Sequence, residues 1–214
     1  MKTVEISIPI GDSSINGNLH VVDNANALVI FAHGSGSSRF SKRNQFVANI
    51  LNQATISTLL FDLLTKEEDA VDQVTRQFRF DIPLLAERLV TVTKWVKSNK
   101  EIQHLTLSFF GSSTGAAAAL IAAAQLSEAI HAVVSRGGRP DLAGDYLAKV
   151  KSPTLLIVGQ LDYEVISLNE SAYKQLTCTK EIAIIPGATH LFEEPGTLEQ
   201  VATIASNWFI KFLV

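Results

Sequence analysis

The segment Ala27–Ala32 (ALVIFA) is continuously apolar, only six residues long, and followed at once by His33–Ser38 (HGSGSS). A run this short and this unbroken reads as a strand buried on both faces, which requires helices above and below it. Further short runs predict strands at Ile56–Phe61, Leu105–Phe110, Ile130–Ser135, Thr154–Val158 and Glu181–Ile185. Among them lie stretches with helical character. Ser41–Ala54 places Phe46, Val47, Ile50 and Leu51 on one face, and Asp81–Lys97 has Asp81 near its start and Pro83 in its first turn. An alanine-rich stretch runs to about Gln125, and Ile166–Leu176 and Leu198–Phe212 supply the last two helices. Val4–Ile10 and Ile15–Val22 alternate only partly around the Gly11–Ser14 turn, which predicts an edge hairpin.

Strands alternating with helices predict an α/β fold, a three-layer α/β/α sandwich around a mostly parallel sheet. The 214 residues, 47% of them hydrophobic, suffice for one sizeable core, so residues 1–214 are read as one domain. Leu63–Phe80 is polar and takes no single assignment: loop, short helix or a lid over a cleft.

Several function classes fall away. A formal charge of -3, from 18 basic and 21 acidic residues, gives no basis for general nucleic-acid binding or for attraction to an anionic membrane. The apolar run Ala116–Ala124 is too short to span a bilayer and reads as a buried helix. Met1–Ile10 alternates like a strand rather than a leader, so a cytoplasmic location is expected. Cys178 is the only cysteine, which excludes an intrachain disulfide and leaves a packed thiol as its reading. Neither H-E-x-x-H nor a cysteine pair is present, and no metal or cofactor is expected.

The chemistry-bearing segments follow predicted strands, where open α/β sheets hold their ligands. Gly111-Ser112-Ser113-Thr114-Gly115 matches G-x-S-x-G between a strand and a helix. Such a turn projects its central residue, Ser113, into a cleft and leaves the Thr114 amide at a helix N-terminus, where it can stabilise an oxyanion. A serine hydroxyl needs a base. Of five histidines, His20, His104 and His131 fall in or beside strands, whereas His190 sits in a loop near the end of the chain. Asp162, just beyond Thr154–Val158, can orient the imidazole, and the order Ser113, Asp162, His190 is the hydrolase order. Asp141 is the reserve acid and Glu164 a weaker one. The second oxyanion donor is expected from the Ser35 amide, with His33 ordering that loop.

Arg39, Arg79, Arg136 and Arg139 lie in or near loops at the same end of the sheet. They are candidates for binding an anionic acyl substrate; the competing reading ties them to Asp62, Asp81 and Asp141. Phe40, Phe78, Phe80 and Phe192 are candidates for an apolar wall.

Taken together, HGSGSSRFSKRN (33–44), FDLLT (61–65), FGSSTGAAAAL (110–120), SRGGRPDLAG (135–144) and PGATHLFEEPG (186–196) resemble the dienelactone hydrolase-like branch of the α/β-hydrolase superfamily. The likeness is strongest to a bacterial subgroup sometimes fused to a phosphoribosyltransferase domain, and no such segment is expected here. The resemblance covers nearly the whole chain. It implies Ser113 as nucleophile, Asp162 as acid, His190 as base, and a fold without a large cap domain. Dienelactone hydrolases proper carry cysteine where this chain has Ser113, so the family name does not fix the substrate. The expected activity is hydrolysis of a small carboxylic ester or related acyl compound through an acyl-enzyme, by a monomer or homodimer. The rival is a ligand-binding or partner-regulating domain that keeps the fold without catalysis.

Overall fold

The structure, a computed structural model, describes residues 2–213. The chain opens with β1 (Lys2–Ile10) and β2 (Ser13–Val21), the expected hairpin, and continues through β3 (Ala27–Ala32), α1 (Lys42–Gln53) and β4 (Ser57–Phe61). It then forms α2 (Lys66–Thr75), α3 (Ile82–Ser98), β5 (Thr106–Ser112), α4 (Thr114–Leu126) and β6 (Ile130–Arg136). The last elements are β7 (Thr154–Gly159), α5 (Tyr163–Gln175), β8 (Lys180–Ile185) and α6 (Thr197–Phe212), with short 3-10 turns at Ser127–Ala129 and within Pro140–Lys149.

Among the described residues the strands form one eight-stranded sheet, ordered β1-β2-β4-β3-β5-β6-β7-β8. The hairpin and the β2–β4 pair are antiparallel, and every other neighbouring pair is parallel. β3 shows why its sequence reads as it does. Leu28, Ile30 and Ala32 join the core under α3 and α4, while Ala27, Val29 and Phe31 join the core under α1 and α6. With both faces covered, strand alternation no longer separates apolar from polar positions. Across the second core the rings of Phe31 and Phe110 lie 4.8 Å apart and tilted, a favourable offset geometry.

α4 is buried almost all round, from Thr114 to Ala123. Its alanines let it lie close to α3 and the sheet. No helix among the described residues is long and apolar enough to cross a membrane. Segment 63–80 contains a helix after all. Thr65 and Glu68 close a capping box around the start of α2, and Arg76 ends it in a left-handed conformation. Asp72 then accepts from the amides of Phe78 and Arg79 and from Arg79 Nε, pinning the return of the chain.

α4 approaches the end of β3 main chain to main chain. A Cβ built at Gly115 would stand 2.4 Å from the carbonyl oxygens of both Ala32 and His33. Backbone cannot yield as a side chain does. Gly115→Ala should therefore lower the unfolding free energy by about 3 kcal/mol or more. A urea denaturation midpoint equal to that of the unmutated protein would refute this close packing.

Candidate active site

Residues at the carboxyl ends of β3, β5, β6 and β8 converge on one pocket of about 260 Å³, with Ser113, Arg136, His190 and the 34–37 loop in its wall. Ser113 separates β5 from α4 at φ 49° and ψ -122°. A non-glycine residue at such angles is strained, by about 1–3 kcal/mol. The surroundings enforce it. Ser113 N–H donates to Arg136 O, its carbonyl accepts from Ala116 and Arg139, and Ser112 Oγ donates to Asn44 Oδ1 on α1 at 3.0 Å. Gly111 admits the turn because a Cβ there would fall 2.4 Å from Ala116 Cα.

His190 and Asp162 come from neighbouring strand ends, β8 and β7. His190 Nδ1 donates to Asp162 Oδ2 at 2.6 Å, with side-chain exposures of 39% and 14%. Asp162 occupies the position before α5 where an aspartate ordinarily caps the helix, yet its side chain makes no such bond. The carboxylate serves the imidazole instead, fixing the tautomer that leaves Nε2 unprotonated. The reserve acids are elsewhere: Asp141 is paired with Arg139, and Glu164 is exposed. Ser113 and His190 line the same pocket, but the Ser113 hydroxyl makes no hydrogen bond to the ring in this conformation. Catalytic hydrogen bonds commonly close only around bound substrate.

His33 differs sharply from His190. It is buried, its Nδ1 donates to Gly34 O at 2.9 Å, and its Nε2 accepts from Leu63 N–H at 3.1 Å. Burial pushes its pKa below the ordinary value, against the Gly34 bond and the field of Asp62. With both nitrogens engaged it holds the loop and has no lone pair for catalysis. Ser35 and Gly36 form the centre of the turn closed by Ser37 N–H to Gly34 O. Among the described residues neither the Ser35 amide nor the Thr114 amide has a protein acceptor.

The four arginines separate into two groups. Arg39 binds Asp62 and Glu5, Arg79 binds Asp72 rather than Asp81, and Arg139 binds Asp141. Arg39 and Arg79 border a second cavity of about 280 Å³ that shares Gly34, Ser35 and Ser37 with the first. Arg136 lines the serine pocket and pairs with no carboxylate among the described residues. Of the aromatic residues, Phe40 lines the second cavity, Phe192 is core, and Phe78 and Phe80 line neither cavity.

Sequence reasoning missed three contributors. Asn44 lies in register with Val47, Ala48 and Leu51, the buried stripe of α1, and that i, i+3, i+4, i+7 spacing was the available signal. Arg43, beside it, reaches Glu193 in the histidine loop at 2.7 Å. Glu194 accepts from the amide and hydroxyl of Thr189, next to His190, at 3.1 and 2.5 Å.

Comparison with known proteins agrees with this architecture. The family described as an alpha/beta hydrolase domain matches residues 25–207. A crystallised dienelactone hydrolase from Anabaena variabilis is 54% identical, with a TM-score of 0.98, covering 100% of this chain and 99% of its own. A Mycobacterium tuberculosis (strain H37Rv) protein named among the phosphoribosyl transferases is 50% identical over 213 residues, which are 100% of this chain and 47% of that protein. The chain thus spans about half the length of the curated relatives it matches. Est1E from Butyrivibrio proteoclasticus shares the fold at a TM-score of 0.81 and 17% identity, covering 97% of this chain and 98% of its own.

The strain at Ser113 is testable by stability alone. Ser113→Gly releases the side-chain clash at positive φ, and Ser113→Ala keeps it. After subtracting the flexibility glycine adds to the unfolded chain, Ser113→Gly should be the more stable of the two by about 1 kcal/mol. Equal or reversed urea midpoints would show that the turn is relaxed.

Proposed function

The chain belongs to the α/β-hydrolase family, in its dienelactone hydrolase-like branch, and from that premise we propose that it is a serine hydrolase that cleaves a small carboxylic ester through an acyl-enzyme. The observation that carries the reading is that His190, paired with Asp162, lines the same pocket as the strained Ser113. In this reading residues 1–214 act as one domain, as a monomer or homodimer. A cytoplasmic location accords with a lone, half-buried cysteine.

Ser113 Oγ attacks the substrate carbonyl carbon as His190 Nε2 takes the hydroxyl proton. The carbonyl π electrons move onto oxygen, and the amides of Ser35 and Thr114 stabilise the oxyanion, helped by the positive end of α4. Asp162 stabilises the imidazolium that forms. The bond to the leaving alcohol then breaks, and the alcohol oxygen takes the proton from His190. Water attacks the ester on Ser113, giving its proton to the same nitrogen. The bond to Ser113 Oγ breaks, the proton returns to that oxygen, and the carboxylic acid departs.

The neighbour's name specifies a lactone hydrolase, and a lactone is an internal ester open to the same sequence of steps. The transferase name belongs to proteins about twice as long.

A fluorophosphonate should modify Ser113, located by mass spectrometry of the digested protein, and Ser113→Ala should take up no reagent there. Asp162→Asn should fold normally but lose about 10³- to 10⁴-fold in kcat on a short-chain 4-nitrophenyl ester, because the imidazole tautomer is no longer held. Folded protein that is neither labelled nor active on esters and thioesters would overturn the reading.

A further inference from the structure

The pocket holding Ser113 and His190 is lined by two arginines, Arg43 and Arg136, and by no acidic residue. Arg43 is balanced by Glu193 at 2.7 Å. Arg136 is not balanced. It is only 8% exposed, and its Nε and Nη1 atoms are sealed from solvent without an acceptor among the described residues. Arg39, Arg79, Arg88 and Arg139, the other arginines that are not exposed, each meet an acidic side chain as Arg43 does, so Arg136 stands apart among the buried and half-buried arginines of the described residues.

Its placement is fixed by the same contacts that fix the nucleophile. Arg136 lies opposite Ser112 in the β5–β6 register, and its carbonyl accepts from the Ser113 amide. The next residue, Gly137, abuts the histidine loop: a Cβ there would stand 3.6 Å from His190 Cε1. Burial, and secondarily the charge of Arg43, push the Arg136 pKa down to about 10. The group is therefore still a cation at neutral pH, and binding an anion requires no proton uptake. A cation held in a shielded wall beside a nucleophile is costly without a partner, and an incoming oxyanion supplies that partner through a charge-assisted hydrogen bond at Nη2, the guanidinium nitrogen that is not sealed.

We propose that Arg136 is the recognition group for an anionic substituent of the substrate, a carboxylate or a phosphate, seated beside the ester carbonyl that Ser113 attacks. The assignment rests on the hydrolase reading above and narrows it to acyl compounds that carry negative charge. With Arg43 neutralised by Glu193, the pocket has one uncompensated positive charge from its arginines. Arg136 is a specificity residue; the chemical steps remain with Ser113 and His190.

The test compares 4-nitrophenyl hydrogen glutarate, whose acyl chain ends in a carboxylate, with its neutral methyl ester. Phosphate and monomethyl glutarate, added separately, are scored for slowing fluorophosphonate labelling of Ser113. Unmutated protein should favour the charged ester in kcat/KM by about tenfold or more, mainly through KM, or its labelling should be slowed by phosphate. Protection by monomethyl glutarate alone assigns a carboxylate, and protection by phosphate alone assigns a phosphate group. Arg136→Met should erase both the preference and the protection without lowering the urea midpoint, since it removes an unpaired buried charge. Should Arg136→Met not fold, Arg136→Lys keeps the charge but shortens the reach that places Nη2, and should show a reduced preference. Equal turnover of the two esters with no protection by either anion, or a preference unchanged in the Arg136 variants, would overturn the subsite and leave the hydrolase intact. Absence of both turnover and labelling would overturn both.

Discussion

One backbone position carries the architecture of the candidate site: Ser113, held at positive φ between a buried strand and a buried helix. Relaxing that turn would swing the hydroxyl out of the pocket and move the Thr114 amide from the start of α4. Several independent contacts oppose relaxation. Gly111 and Gly115 allow main chain to touch main chain, Asn44 grips the preceding serine, and Arg136 and Arg139 bind the Ser113 peptide units. Strain of about 1–3 kcal/mol is a sizeable part of a typical domain's net stability, and it persists only because these contacts leave the turn no other conformation.

The sheet supplies the rest of the alignment. β7 and β8 are adjacent and parallel, so the loops leaving their carboxyl ends emerge side by side, and Asp162 reaches His190 without distorting either element. The two loop histidines illustrate how environment divides labour. His33, buried and bonded through both nitrogens, is spent on holding the 34–37 turn to Leu63. His190, part-exposed and bonded through one, keeps a nitrogen for the pocket. Glu194 and Arg43 steady the loop that carries it through Thr189 and Glu193.

Much of this was legible from residues alone, for identifiable reasons. Strands buried on both faces announce themselves as short unbroken apolar runs, and Ala27–Ala32 has the same bounds in sequence and structure. The histidine and acid followed from their places after strands, and the structure brings that pair into contact. α2 was not legible by periodicity because Asp72 is the only residue it buries; the Thr65–Glu68 capping box was its one signal. The arginines were ambiguous because a guanidinium near a functional loop has the same sequence signature whether it binds a ligand or an aspartate. Only the three-dimensional pairing separates Arg136 from Arg39, Arg79 and Arg139.

Hydrolysis by Ser113 turns on the geometry of attack, and the most direct measurement of it is a crystal structure of the protein after inactivation by a small alkyl fluorophosphonate. The phosphorus should be bonded to Ser113 Oγ, its non-bridging oxygen about 3 Å from the amide nitrogens of Ser35 and Thr114, and His190 Nε2 within hydrogen-bond reach of the bridging oxygen. An adduct on another residue, or a phosphoryl oxygen turned away from both amides, would contradict it.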